Sequence, residues 1–320
     1  MNDDTLILAA DIGGTNARFG CLERAPSGGW AVHKFMKLRG ADYPSFEAAL
    51  EHYLETLDGV PKHIAISAAG PVENRAVTLT NAKWEISADA LEKRTGVQAC
   101  ALYNDFAGMT RSIPELGASD FTVIRKGQPV DDSPILVAGP GTGFGVGLLV
   151  PVKGGWHVMA TEGGHAAYSA KTPLEMELLN VLSRAHGFVS LELVSSGKGL
   201  PAVHRALCDI HGQDYAPMEP DTIRERATQG DIICRDVCAI RAAATMGAIG
   251  DLALSGGARG GIVLAGGVSE RMIDFYTELE AMDRFLSRGP RSAYVKDIPV
   301  KLLTSALAPL IGAAALSEEG

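Results

Sequence analysis

The sequence predicts an α/β protein of two domains that use one plan twice. Three observations predict it. The chain has 320 residues, enough for two domains of ordinary size. Its apolar residues switch repeatedly between strand-like runs and helical i, i+3, i+4 spacing. A strand, glycine turn and strand then occur twice: ILAADIGGTNARFGCL at 7–22 and ILVAGPGTGFGVGLLV at 135–150. At a shift of 128 residues Ile7/Ile135, Leu8/Leu136, Ala10/Ala138 and Gly13/Gly141 are identical, in hairpins of equal length. Two readings stay open: unrelated apolar hairpins that share glycine turns, or a duplicated domain with one hairpin per half facing a shared cleft.

Along the chain, 5–12, 17–23 and 30–38 read as a meander of strands around a turn at 13–16. From Pro44 the spacing of Phe46, Ala49, Leu50, Tyr53, Leu54 and Leu57 predicts an amphipathic helix. Strands follow at 63–69 and 99–103, with a helix start after Asn104-Asp105. The second half opens on the 134–150 hairpin. Helices are expected at 173–186 (closed by Gly187), at 198–211, and from Asp231 to about Leu254. A strand at 261–264 runs into Gly266-Gly267 and a helix. A short strand at 300–304 precedes a closing Ala/Leu-rich helix.

Composition narrows the function. Twenty-nine basic against 38 acidic residues give a net charge of −9 with no basic block, which argues against nucleic acid as a partner. Five scattered cysteines argue against a disulfide framework. No signal-peptide pattern is expected, and no stretch reads as the roughly 18 apolar residues a membrane span needs. A soluble, cytoplasmic protein is the expectation.

The residues that could carry chemistry form five groups. In the first turn, Ala10, Asp11, Ile12, Gly13, Gly14 and Thr15, a glycine pair can expose backbone N–H groups as a nest for phosphate oxygens, and Thr15 and Asn16 add side-chain donors. Asp11, ending a strand, could hold Mg²⁺ through water. An ordinary hairpin turn is the alternative. Neither a P-loop nor a dinucleotide fingerprint is present. The second turn, with Gly141, Thr142 and Gly143, could clamp the same phosphates from the other side. Asn104-Asp105 follows a strand: Asp105 could accept a substrate hydroxyl proton and Asn104 could orient the ring, or the pair could cap a helix. Glu162, His165 and Glu192 suit the vicinal hydroxyls of a sugar. A Glu-x-x-His metal site is disfavoured by the intervening Gly163-Gly164. Gly266 and Gly267 would let a flat base or ribose lie against the backbone.

Taken together these motifs resemble the ATP-dependent glucokinase family of proteobacteria, along most of the chain. The marks are ADIGGTNARFG at 10–20, AGPV at 69–72, TNAKW at 80–84 and NDF at 104–106. They continue with GPGTGFGV at 139–146, EGGH at 162–165, SSGKGL at 195–200 and AGG at 265–267. The resemblance implies the actin-like ATPase fold: two ribonuclease H-like domains with a cleft between them. The division expected is 1–115 plus 305–320, and 116–304. The resemblance also implies ATP and Mg²⁺ as cofactors, D-glucose as substrate, and a homodimer. Asp105 matches the catalytic base; Asn104, Glu162, His165 and Glu192 match sugar-binding residues, with Asn81 and Trp84 nearby. The related ROK kinases carry a cysteine-rich zinc motif after their histidine, and none occurs here. Pro140 inside the second turn is a departure. A kinase of another sugar, and an ATP-switched regulator or assembly protein, are the competing expectations.

Overall fold

Residues 7–12 bury every side chain while alternating between two apolar surroundings, as a central strand must. The computed structural model describes residues 6–26, 28–59, 61–79 and 84–319. In it, Leu8, Ala10 and Ile12 of β1 (Ile7–Ile12) join a core with Phe19, Phe46 and Tyr53. Ile7 and Ala9 face a second core with Leu22, Ala65 and Leu310. β2 (Asn16–Arg24) and β3 (Trp30–Arg39) complete the antiparallel meander. α1 (Phe46–Leu54) begins where the Ser45 hydroxyl accepts the Ala48 N–H, and it buries Phe46, Ala49, Leu50 and Tyr53 as their spacing predicts. β4 (His63–Ala68) pairs parallel to β1. A small ribbon of β5 (Ala76–Thr78) and β6 (Glu85–Ser87) follows, then α2 (Ala88–Thr95). These short elements carry too few residues to show a period, so sequence reasoning missed them. β7 (Ala99–Asn104) pairs parallel to β4 and leads into α3 (Asp105–Ser112). The first sheet is ordered β3-β2-β1-β4-β7.

The second sheet begins with β8 (Phe121–Arg125), an edge strand whose pattern is too exposed to read as one. The β9 (Ile135–Pro140) and β10 (Phe144–Val152) hairpin continues into β11 (Gly155–Thr161), also unforeseen. Helices α4 (Pro173–His186), α5 (Leu191–Ser195), α6 (Leu200–Ile210), α7 (Pro220–Thr228) and α8 (Ile232–Gly256) follow. β12 (Gly261–Leu264) returns to the sheet, and α9 (Gly267–Arg271), α10 (Ile273–Tyr276), α11 (Leu279–Leu286) and α12 (Ser292–Lys296) lead to β13 (Val300–Leu303). The order β11-β10-β9-β12-β13 repeats the first sheet's plan, with β8 added beyond it. The hairpins differ by one residue, correcting the expectation of equal length. Ile12 pairs with Ala17 in the first, whereas Pro140 pairs with Phe144 in the second, so Pro140 ends the strand and lies outside the turn.

α6 starts at Leu200, two positions later than expected, because Ser196 turns the chain first, its hydroxyl accepting the Gly199 N–H at 3.1 Å. α8 is long and apolar enough to cross a membrane, contrary to expectation, but 72% of its most apolar window is buried inside the protein. It is the central core helix of its unit and packs against α5, α6, α7 and α11.

The chain divides into two units, Met1–Asp120 with Ser305–Gly320, and Phe121–Thr304. The first boundary falls after the one-turn helix Ala118–Asp120, later than the 115/116 expected. The chain rejoins the first unit as α13 (Ala308–Ser317), which lies against β1, β4 and α3. At the α3–α13 crossing the backbones touch: a Cβ added at Gly312 would overlap the Gly108 carbonyl. Gly312→Ala is therefore predicted to cost about 1–3 kcal/mol through overpacking, read as a lower urea midpoint, with a loss of turnover as α3 shifts.

Candidate functional site

In the first unit the site residues are gathered by strand register. Ile12 lies beside Ala68, and Ala68 beside Asn104, across three parallel strands. The first glycine turn, the 69–72 strap and Asp105 therefore leave the sheet at one edge. With strands about 4.8 Å apart, Ile12 and Asn104 are about 10 Å apart.

The turn is closed by Gly13 N–H donating to Asn16 O at 3.0 Å, and Thr15 O accepts from Gly40 N–H at 2.9 Å. Thr15 is exposed at the tip. Ala10 and Ile12 point their side chains into the core, so only their backbone could meet a ligand. Trp84 is 3% exposed and sits edge-on to Phe46, a support for this turn and not a surface a sugar could reach. Asn81 lies outside the described residues.

Asp11 is 5% exposed and forms an ion pair with Arg18, its direct neighbour across the hairpin. Burial pushes its carboxyl above the usual range, while the Arg18 charge and hydrogen bond pull it back. Among the described residues no group of three His, Cys, Asp or Glu side chains could form a metal cage. Asp11 could thus contribute to a cation only as one carboxylate among other ligands, which suits an ion that keeps its waters.

Asn104 proves to be the N-cap of α3. Its Oδ1 accepts from Phe106 N–H at 2.9 Å and Ala107 N–H at 3.3 Å, and its Nδ2 donates to Gly70 O at 3.2 Å. The amide thus ties the 69–72 strap to the helix start. Asp105 occupies the first position of α3, with Oδ1 accepting from Phe106 N–H at 2.9 Å, which orients the carboxylate at the helix N-terminus.

The second unit repeats the arrangement. Ala138, Leu264 and Leu302 form an in-register row of parallel strands, beyond which lie the second glycine turn and Ala265-Gly266-Gly267. These two segments meet backbone to backbone. Gly139 has no room for a Cβ beside Ala265 O, and Gly266, at φ +93°, has none beside Pro140 O. Within the turn, Gly141 N–H donates to Gly143 O at 2.8 Å.

β11 points the same way as β9, so Glu162 and His165 emerge at the same edge of this sheet. Glu162 precedes and His165 ends a single helical turn, Gly163–His165, with His165 Nε2 4.0 Å from Glu162 Oε2. Their side chains are 87% and 61% exposed, available to a ligand. Glu192, in the first turn of α5, has one oxygen committed: Oε2 accepts from Phe144 N–H at 2.8 Å. The structure therefore brings Glu192 to the second glycine turn as well as to the Glu162–His165 side of the unit.

Sequence reasoning missed two supports. Gly197 N–H donates to Gly141 O at 2.9 Å and Lys198 N–H to Thr142 O at 3.2 Å, so the 196–198 segment holds the second turn. Behind it, buried Arg241 donates from Nη2 to Ser195 O at 2.9 Å and Ser196 O at 2.8 Å. A single charged residue in the otherwise uncharged stretch 237–250 of α8 was the available signal. The second support is the buried pair Arg284–Glu175 at 2.7 Å. Arg284 also donates to Ser169 O at 2.7 Å, while Glu175 accepts the Thr172 N–H in the α4 capping box, fixing the chain that follows His165.

Solved structures share this architecture. A glucokinase from an Antarctic psychrotroph matches with a TM-score of 0.88 at 34% identity, covering 99% of each chain. A ROK-family glucokinase from Streptomyces griseus, solved with glucose and AMPPNP, shares the fold at a TM-score of 0.66 and 22% identity, over 98% of this chain and 100% of that one. Fold and site together define a sugar kinase. The glucokinase family model matches residues 8–319. A glucokinase of Chromobacterium violaceum is 38% identical over 311 residues, 96% of this chain and 88% of that protein. One of Saccharophagus degradans is 34% identical over 96% and 97%. The chain belongs to the glucokinase family.

The capping geometry separates stability from chemistry at position 104. Asn104→Ala is expected to cost about 0.5–2 kcal/mol and Asn104→Asp to be nearly neutral, as read from urea unfolding without ligands.

Proposed function

We propose that the chain transfers the γ-phosphate of ATP to the 6-hydroxyl of D-glucose, giving glucose 6-phosphate and ADP, the entry reaction of glycolysis. In this reading the two loop-bearing edges face each other across a cleft. The phosphates of ATP lie between the first turn, at Gly13, Gly14 and Thr15, and the second, at Gly141, Thr142 and Gly143. The adenosine rests on Gly266-Gly267. A Mg²⁺ ion bound with ATP would neutralise charge on the phosphate oxygens, held on the protein side by Asp11 through water.

Glucose hydroxyls are bound by Glu162, His165 and Glu192, and by the second amide proton of Asn104 Nδ2. Asp105 accepts the 6-hydroxyl proton as that oxygen attacks the γ-phosphorus in line and the bond to the β–γ bridging oxygen breaks. Closure of the cleft excludes water, which would otherwise take the phosphoryl group.

The observation that carries the reading is the placement of Asp105. It leaves the same sheet edge as the first glycine turn, about two strand spacings away. That separation suits a base that serves a hydroxyl lying just beyond a terminal phosphate. We extend the reading to a cytoplasmic homodimer; exposed Phe188, Ile232 and Leu279 supply apolar surface for it.

A coupled ADP-release assay over glucose, mannose and N-acetylglucosamine tests the substrate, with glucose expected to give the highest kcat/KM. Failure of glucose to stimulate ADP release would overturn the reading. Asp105→Asn is expected to lower turnover about 10²–10⁴-fold while glucose still binds; half of wild-type turnover would remove Asp105 from the role. Glu162→Ala is expected to weaken glucose binding in calorimetry, and an unchanged affinity would reject that assignment.

A further inference from the structure

Arg241 is a buried cation without a counterion. It is 6% exposed in the middle of α8, and among the described residues no carboxylate lies within ion-pair reach of it. Its charge is felt mainly by Tyr276 and Cys238, neither an anion at neutral pH, since burial drives both up, to about 12 and about 11. Its Nε has no partner in the protein. Burying an unpaired charge is costly, and an apolar side chain would fill this helix position at less cost.

What Arg241 does touch leads to one place. Nη2 donates to Ser196 O at 2.8 Å, and the N–H of that same peptide, on Gly197, donates to Gly141 O at 2.9 Å. A single peptide unit therefore links the guanidinium to the second glycine turn. The surrounding cage leads there too. Thr245 Oγ1 donates to Arg241 O at 2.9 Å, Tyr276 bonds to Thr245 and Ser269, and Ser269 Oγ donates to Ala265 O at 2.7 Å. Ala265 belongs to the segment packed on Gly139.

We propose that Arg241 is a positioning residue whose missing counterion is the polyphosphate of the nucleotide, and that it acts through the Ser196–Gly197 peptide. The proposal rests on the phosphate-binding reading of the second turn. The guanidinium holds that turn in shape and places a fixed positive charge behind it. Because it is buried, the charge is little screened by salt. At about 10 Å and an effective dielectric of about 20, it is worth about tenfold in affinity for each phosphate charge. Selectivity for the charged part of the nucleotide over adenosine is thus built into the core and not only into the loops.

The test compares ADP and adenosine binding by calorimetry in wild type, Arg241→Met and Arg241→Lys. In Arg241→Met, ADP affinity is expected to fall at least about tenfold and adenosine affinity to change less than about twofold, because adenosine carries no phosphate for the turn or the charge behind it to act on. Arg241→Lys, which keeps the charge, is expected to restore most of the ADP-to-adenosine ratio. If Arg241→Met does not fold, Arg241→Gln, which keeps a donor for Ser196 O without charge, takes its place with the same expectation. Equal weakening of ADP and adenosine, or an unchanged ratio, would overturn the proposal. Wild-type protein that fails to prefer ADP over adenosine would overturn the phosphate-binding reading itself, which separates the two failures.

Discussion

Parallel hydrogen bonding between β1, β4 and β7 is the constraint on which the candidate site depends. Its register sets Ile12, Ala68 and Asn104 in one row, and everything chemical in the first unit follows from where those strands stop. A slip of one residue would turn Asp11 and its neighbours to the opposite faces of the sheet and break the Asp11–Arg18 pairing. Burial on both faces guards against that slip, because Leu8, Ala10 and Ile12 fit one core, and Ile7 and Ala9 another. The second unit applies the same constraint through Ala138, Leu264 and Leu302. The loops beyond each row are then free to vary in chemistry without disturbing the sheet.

A second theme is close approach of backbone to backbone. Gly139 against Ala265, Gly266 against Pro140, and Gly312 against Gly108 each bring peptide groups nearer than any side chain permits. The first two draw the second turn and the 265–267 segment together. The third seats α3, and with it Asp105, on α13. Peptide dipoles delivered this way cost no reorganisation when a charged ligand arrives.

The buried charges divide by what they support. Arg284–Glu175 is paired and hydrogen-bonded, and it anchors the chain after His165. Asp11–Arg18 is paired across the hairpin at the first turn. Arg241 alone has no acidic partner among the described residues, and it stands behind the second turn. Evolution of a stable core would not place it there; an electrostatic task explains why the cost is borne.

Much of this protein was legible in its residue order. The meander, the 173–186 helix with its closing Gly187, the repeated hairpin and the glycine turns are local patterns, written in period and turn chemistry within a few residues. The family was legible too, because its motifs are short and contiguous. Tertiary structure alone decided that Trp84 is core, that Asn104 spends its carbonyl oxygen on a helix cap, that Glu192 holds Phe144, and that Arg241 reaches Ser196. Each of these depends on a partner distant in sequence or on a hydrogen bond that one of several eligible groups could have made. Residue order states which groups are available; only packing determines which of them are already spent.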